Sequence, residues 1–411
     1  MSNLREYTCG VAQVSRGRRL LAVSVLFILA PKVQIFTGVR IEDLVYLVML
    51  PLLLSGYHAR SFYVPVYIRF YIAYLVSLAF STLINYSEVG AVGILHVLRQ
   101  LQYLVWFLVG VQVALSVGER GFKKAMGVVA AVLIIWWVLE IFGLIPKVGL
   151  FSNVADRVTL NTSGPYEAAL LVVVIYCVVN GGLKKIGLLG VLMATQSRIT
   201  IASFVFVWLR SRPGKNTLAV FLAAPLIIVF SSLIYDGLIR DTRLAQTEAP
   251  ADMLLGLKEQ FDAVPVITSL SDYRDLAVYD LRVNVDYSYG DPSFRIRAYK
   301  WSIIIKSLGS SFSKFMFGWG AGAWGLAVDG HYVRFLGEGG VVGGILAMLY
   351  FLVALTASSS PKPFKLGFTS LAITCIFIDA ATSSKVMSTL WLIGGYYTVR
   401  SYKKSDEAAG E

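Results

Sequence analysis

Long apolar runs alternate with short polar segments along the whole chain. Many of these runs approach the ~20 residues that a helix needs to cross the hydrocarbon of a bilayer. The predicted spans are 20–36, 41–57, 66–84, 91–117, 125–145, 166–179, 218–234, 332–357, 364–379 and 386–399. The pattern predicts an all-α polytopic membrane protein in which residues 1–411 form a single integral membrane domain.

One segment does not fit a single crossing. About two dozen residues separate Lys185 from Arg210, which is one span at a rise of ~1.5 Å per residue, yet basic clusters at both ends require the same side of the membrane. Two short helices at 186–196 and 199–209, meeting at Ser197 and Arg198, satisfy both requirements. With this helical hairpin the chain is predicted to have about 11–12 transmembrane helices.

Positive charge fills every second loop. The basic residues of these loops are Arg16, Arg18, Arg19, Arg120, Lys123, Lys124, Lys184, Lys185, Arg210, Arg212, Lys215, Lys362, Lys365, Arg400, Lys403 and Lys404. The positive-inside rule places them, and both termini, in the cytoplasm. The formal net charge of +12 is therefore explained by topology, and nucleic acid is not an expected partner.

The intervening loops face outward, and one of them is far longer than the others. Residues 236–330 form this predicted extracytoplasmic loop, and loops above ~15 residues are uncommon unless they are functional or disordered. In RIRAYKWSIIIKSL, one helical face carries Ile296, Tyr299, Ile303 and Ile304, which predicts an amphipathic helix and a folded loop.

Composition excludes several classes of protein. The chain is 56% hydrophobic and only 15% charged, whereas soluble domains are about 25% charged. Its three cysteines, Cys9, Cys177 and Cys375, lack the paired spacing of a zinc site or a disulfide framework. The first apolar run continues past Pro31 without a small-residue cleavage site, so it is expected to remain as the first helix.

Two outward-facing positions carry charge inside predicted membrane helices. His96 and Arg99 lie one helical turn apart, and ionisable residues at that depth usually face a bundle interior or a water-filled cavity. Arg198 lies at the apex of the predicted hairpin. Both arginines have a second interpretation, in which Arg99 snorkels to the lipid headgroups and Arg198 anchors a helix end.

The end of the long loop carries a second group. In SFRIRAYKW, Arg295 and Arg297 present planar forks suited to phosphate oxygens, although a solvated charged face is the alternative. The following FGWGAGAWG lacks the strand before it and the Lys-Ser/Thr after it that a nucleotide-binding loop needs. We expect this glycine run to allow close backbone approach.

The third group lies where the loop returns to the membrane, in DGHYVRFLGEGGVVGG. Arg334 and Glu338 follow His331 at helical spacing. An imidazole with an ordinary pKa near ~6.5 can accept a proton from a hydroxyl nucleophile, and the neighbouring arginines favour its neutral form. His331 is thus the predicted catalytic base, with a structural histidine as the alternative.

Taken in order, these motifs resemble the O-antigen polymerase (Wzy) and O-antigen ligase superfamily of bacterial membrane glycosyltransferases. The order is NTSGPYEAALL, the ATQSR hairpin, the long loop, R-x-x-x-W at Arg297 to Trp301, G-x-G-x-G and H-Y-x-x-x-L-x-E-x-G. The resemblance covers roughly residues 161–344. The family often has Asn after the histidine, where this chain has Tyr332.

The resemblance implies a GT-C-like fold and a metal-independent polymerase in the bacterial inner membrane, with its active site in the periplasm. Donor and acceptor would be undecaprenyl-pyrophosphate-linked glycans, and the other partners membrane lipids and a chain-length regulator protein. No cofactor is expected, and the sequence offers no Asp-x-Asp motif for a metal. The predicted diphosphate and glycan contacts are Arg99, Arg198, Arg295, Arg297, Arg334 and Glu338.

Three alternatives remain at this point. The acidic pair Glu42 and Asp43 in the first outer loop is a second candidate base, although charges there also suit a helix N-terminus. The chain could instead be an O-antigen ligase that transfers finished polymer to lipid A-core. A lipid-linked oligosaccharide flippase or other transporter is less expected, because transporters place charge near the midplane and keep short loops.

Overall fold

The structure is a computed structural model that describes residues 2–32, 34–36, 39–54, 64–147, 157–211, 261–262, 264–273, 292–325 and 328–409. The helices are α1 (Ser2–Leu29), α2 (Ile41–Leu54), α3 (Val66–Ile84), α4 (Tyr86–Ser116), α5 (Glu119–Ile141), α6 (Pro165–Tyr176), α7 (Gly182–Ala194), α8 (Arg198–Ser211), α9 (Pro292–Leu308), α10 (Phe312–Phe317), α11 (His331–Thr356), α12 (Lys362–Thr374) and α13 (Ser384–Ala409). A 3-10 turn, Ala380–Thr382, precedes α13.

Four of these helices, α3, α4, α5 and α11, are long and apolar enough to cross a membrane. They correspond to four of the predicted spans, and the chain is accordingly a helical membrane protein. The predicted span at 218–234 lies outside the described residues. The full number of crossings and the likeness to GT-C enzymes stay predictions.

The first predicted span is wrong at its outer end. Helix α1 stops at Leu29, whereas the apolar run predicted a helix to residue 36. Pro31 explains the difference, because proline has no N–H to donate and disfavours helical geometry in the residue before it. A short antiparallel pair follows instead, formed by β1 (Gln34–Phe36) and β2 (Val39–Arg40).

The helix break predicted near Ser197 is present. Helix α7 ends at Ala194 and α8 begins at Arg198, with Gln196 between them in the left-handed region at φ 50°. Helix α7 packs on α5 and α6, whereas α8 packs chiefly on α12. Which side of the membrane the break faces stays a prediction.

The core is built around α13, which packs along α4, and around α11, which packs along α3. Two glycines allow the closest of these approaches. A Cβ on Gly110 would lie 2.2 Å from the Leu392 carbonyl oxygen, and one on Gly395 would lie 2.0 Å from that of Phe107. Small residues of this kind let membrane helices pack backbone against backbone.

Polar contacts join helix ends that the charge pattern assigns to the same side. Lys32 lies 2.9 Å from the Glu167 carboxylate, which also accepts a hydrogen bond from Ser383. Lys32 and Glu167 lie at the predicted outer ends of two spans, and Ser383 lies in a predicted outer loop. At the opposite ends, Arg400 donates to the Val117 carbonyl at 2.7 Å. These contacts agree with loops that alternate between the two sides of the membrane. The orientation of the bundle in the membrane stays a prediction.

Parts of the long loop form a second hydrophobic cluster. Side chains from residues 264–273 pack there with one face of α9 and with two tryptophans of the glycine-rich segment. Tyr299, Ile303 and Ile304 of the predicted amphipathic face are buried in it, and Ile296 is half-buried. This confirms the predicted helix and its apolar face.

The glycine-rich segment docks where helix α11 is interrupted. Gly340 has φ 63° and ψ −163°, which breaks the helical hydrogen bonding and releases carbonyls of the preceding turn. The backbone N–H of Trp319 donates to the Gly337 carbonyl at 2.9 Å, and the backbone N–H of Gly320 donates to the Glu338 carbonyl at 3.0 Å. A Cβ on Gly318 would lie 2.4 Å from the backbone nitrogen of Gly340. The predicted close backbone approach is confirmed.

Candidate functional site

His331 is the first residue of α11 and is only 1% exposed. Its backbone N–H donates to the Cys375 carbonyl at 2.8 Å, which fixes the helix start against the end of α12. The imidazole packs edge-on against Phe335, and its Nδ1 lies 3.8 Å from Oδ1 of Asp379. The predicted base therefore lies beside the carboxylate of Asp379, the last residue of a predicted span.

Asp379 organises the turn before His331. Its Oδ2 accepts from the backbone N–H groups of Val328 at 2.6 Å and Asp329 at 3.1 Å, and from the Arg334 guanidinium at 3.0 Å. Burial alone would raise the pKa of Asp379, but the Arg334 charge and the contact with His331 hold it well below its usual range. Asp379 is therefore an ionised partner for His331 at neutral pH.

Arg334 is enclosed by protein groups. It lies 3.0 Å from the Glu338 carboxylate on one side and 3.0 Å from Asp379 on the other, and it also donates to the Gly325 carbonyl at 2.8 Å. Glu338 accepts a further bond from Gly322 N–H at 3.0 Å. The predicted substrate contacts Arg334 and Glu338 are thus paired with each other inside the fold, one turn apart on α11.

A second cluster of charge forms around the Tyr166 hydroxyl, at the start of α6. Arg157 lies over the tyrosine ring, with its guanidinium carbon 4.7 Å from the ring centroid, and its Nη1 is 3.4 Å from the hydroxyl. Arg297 also interacts with this hydroxyl. Two guanidinium groups from distant parts of the chain therefore meet on one phenol.

Arg297 connects this cluster to His331. Its Nε lies 4.0 Å from Oδ2 of Asp329, which is two residues before the histidine, and has no hydrogen-bond partner within the described part of the chain. Burial raises the pKa of the Asp329 carboxyl, and the charges of Arg297 and Lys300 only partly oppose this. Arg297 is thus only loosely paired with Asp329, and its buried Nε is left for another acceptor, such as an oxygen of a bound anion.

Arg157 also brings the α7–α8 break to the site. It is 4% exposed and donates from Nε to the Thr195 carbonyl at 2.9 Å and from Nη2 to the Gln196 carbonyl at 3.3 Å. These carbonyls belong to the end of α7, where unpaired acceptors need a donor. Arg198 follows two residues later and is half-buried, so the break carries it to the same region.

Among the remaining predicted residues, Arg99 is the one whose side chain lies within the described part of the chain. Arg99 is half-buried on α4, one turn after His96, which itself faces Gly322 of the glycine-rich segment. Arg295 lies on α9, with its side chain outside the described residues. The side chains of Glu42 and Asp43 on α2 are outside them as well.

Asp379 and Arg157 are residues of the site that the sequence analysis did not single out. Asp379 had a signal, since an acid in FIDAATSSK interrupts an apolar stretch at a predicted membrane boundary, and such residues are functional candidates by default. Arg157 gave no such signal, because a lone arginine in a polar loop is common. Only its contacts with Thr195 and Tyr166 single it out.

Fold and site together define a helical membrane protein with a buried layer of ion pairs beside a cluster of arginines. No family model matches this chain, and a search of curated proteins finds no match either.

Proposed function

We propose that this chain is a membrane glycosyltransferase of the polymerase type, which joins undecaprenyl-pyrophosphate-linked repeat units without a metal or cofactor. The observation that carries the proposal is the meeting of Arg157 and Arg297 on Tyr166, connected through Asp329 to the His331–Asp379 pair. An anion site and a candidate base are thereby neighbours, as this reaction needs.

The arginines would hold the leaving group. In the transfer, a sugar hydroxyl of the acceptor attacks the anomeric carbon of the donor, and the bond to the diphosphate oxygen breaks with its electron pair leaving on the diphosphate. Fixed guanidinium groups of Arg157, Arg198 and Arg297 can stabilise that charge as it develops. Tyr166 adds a neutral donor between two of them.

His331 would take the proton of the attacking hydroxyl. Asp379 then stabilises the imidazolium that forms, as a buried carboxylate does for a catalytic histidine. Because the imidazole is 1% exposed, the acceptor reaches it only after a local rearrangement of the groups packed around it. Arg334 and Glu338 position these groups in this proposal and do not contact substrate.

One observation favours transport as a second candidate function. Gly90 and Gly340 interrupt two of the four helices that are long enough to cross a membrane, α4 and α11. Transporters often place their substrate sites at such interrupted helices. In α11 the freed carbonyls are bonded by Trp319 and Gly320, which gives the break a structural use and leaves polymerase the better supported proposal.

The glycan made by cells that lack this protein separates the candidates. Single repeat units attached to lipid A-core are expected for a polymerase. Free lipid-linked polymer would identify a ligase instead. Lipid-linked single units that stay on the cytoplasmic side would identify a flippase. Restoration of polymer by the wild-type chain, expressed in the same cells, is the control.

A further inference from the structure

A column of aromatic side chains extends from the buried ion pairs of Arg334 into the helical bundle. Helix α3 contributes Tyr67, Tyr71 and Tyr74, whose spacing of four and three residues places them on one face, and each is at most 2% exposed. We call these three residues, with Tyr350 of α11 and Trp391 of α13, the tyrosine column.

The rings of the column are in contact. The centroid of Tyr71 lies 4.9 Å from that of Tyr350 and 4.7 Å from that of Trp391, and Tyr350 stacks on Trp391 at 6.1 Å. At its upper end, Tyr74 lies 5.2 Å from Phe335, the ring against which His331 packs. The column therefore begins directly beneath the candidate base.

Its polar atoms are not all satisfied. The Tyr71 hydroxyl donates to the Gln100 carbonyl at 2.8 Å. The Tyr350 hydroxyl and the Trp391 indole N–H are fully buried and have no hydrogen-bond partner within the described part of the chain. A buried polar group without a partner costs about 1–3 kcal/mol, and two such donors stacked on each other are rare in a folded interior.

We propose that bound water occupies the bundle interior at the tyrosine column and hydrogen bonds with the Tyr350 hydroxyl and the Trp391 N–H. The chemistry of these groups selects the ligand. An indole N–H only donates, a phenol both donates and accepts, and both are neutral, so a small neutral molecule that accepts and donates fits them. Buried water characteristically joins two to four such groups. The site goes beyond the proposed function and does not depend on it.

Hydroxyl-radical footprinting of the full-length protein in detergent tests the proposal, because radicals formed from bound water oxidise the side chains beside it. The oxidation rate of each residue is divided by its rate in the denatured chain. Phe368 is the matched control, since it is 0% exposed and its ring lies 5.3 Å from that of Tyr350. We expect Tyr350 and Trp391 to react several-fold faster than Phe368 on this scale. Equal protection of all three would overturn the proposal.

A second measurement uses Tyr350→Phe, which removes the hydroxyl and keeps the ring. If water satisfies the hydroxyl, the thermal midpoint of the variant stays equal or falls, and normalised oxidation of Trp391 decreases. If the hydroxyl is dry and unpaired, its removal relieves a cost and the midpoint rises, which contradicts the proposal. Both readouts are independent of glycan transfer, so they separate a failure of the water site from a failure of the proposed enzyme.

Discussion

Nη2 of Arg334 and Oδ2 of Asp379 lie 3.0 Å apart, although the two residues are forty-five positions apart in the sequence. The contact ties the first turns of α11 to the turn that precedes α13, and both side chains are almost completely buried. Leaving one partner of such a pair alone in the interior is costly, because the remaining charge has lost both water and its counter-ion. We therefore expect the contact between Arg334 and Asp379 to contribute strongly to stability and to fix the position of His331.

We expect Asp379→Asn to lower the free energy of unfolding by about 3–5 kcal/mol, because Arg334 loses one of the two carboxylates that it contacts in the interior. Thermal unfolding of the purified protein in detergent measures this. Asp272→Asn is the control, since Asp272 is exposed and surface substitutions usually change stability by less than about 0.5 kcal/mol. Similar midpoints for the two variants would contradict the importance of the buried pair.

The pH dependence of that difference has a fixed sign. Because the folded-state pKa of Asp379 is held well below its usual range, its contribution is present in full above the ordinary Asp pKa of ~3.9 and is lost as the pH falls below it. The gap between wild type and Asp379→Asn should therefore be present at neutral pH and narrow as the pH falls below about 4. A gap that closes near pH 6 would show that another group titrates.

Gly340→Ala should destabilise the protein by more than about 2 kcal/mol, since φ is 63° and the new Cβ would lie 2.5 Å from backbone atoms of Gly318 and Met316. Gly339→Ala is the matched control, because its Cβ would meet nothing closer than 3.8 Å. The midpoints of thermal unfolding compare the two. A harmless Gly340→Ala would mean that the helix break is not fixed by the docked segment.

Replacing Arg297 or Arg198 by lysine keeps the charge and loses the bidentate fork. If these residues hold the diphosphate, polymer formation should fall sharply while the amount of protein in the membrane stays near normal. Loss of one such donor typically costs about 10²–10³-fold in rate. Arg157→Lys should act similarly, and exposed Arg18→Lys should have no effect. Full activity of all the lysine variants would end the clamp hypothesis.

His331→Ala should nearly abolish polymer formation, because general base assistance is typically worth about 10²–10⁴-fold in rate. Lipid-linked donor should still bind to the purified variant, and the wild-type protein should stay active in EDTA, since a metal-independent reaction is proposed. A variant that polymerises at the wild-type rate would remove His331 from the mechanism and direct attention to Glu42 and Asp43.

Single introduced cysteines can show directly which side of the membrane each segment faces. A cysteine at Gly182, the first residue of α7 and next to the basic pair Lys184 and Lys185, should resist an impermeant thiol reagent added to intact cells. One at Leu144, exposed after α5, should react. Both positions become reactive after the membrane is permeabilised. The opposite pattern would invert the predicted orientation.

Several features follow from the sequence because they depend on neighbouring residues. Apolar runs of sufficient length make helices α3, α4, α5 and α11 long enough to span a membrane, and the polar Ser197-Arg198 pair marks the break between α7 and α8. The Gly-Pro dipeptide starts α6 at Pro165, as proline suits the first helical turn. Proline also acts locally at the end of α1, where Pro31 stops the helix at Leu29. The length of the apolar run hid this signal.

The site depends on pairings that only the tertiary structure decides. Hydropathy gives the depth of Arg334 and Arg297 but not their partners, and nothing local to Arg157 distinguishes it from an ordinary loop arginine. The packing of α11 against α12 brings Asp379 to His331, and the capping of α7 by Arg157 brings the helix break to Tyr166. A charge buried in a membrane bundle must find a partner wherever the fold supplies one, so contact in space, and not distance along the chain, assigned these roles.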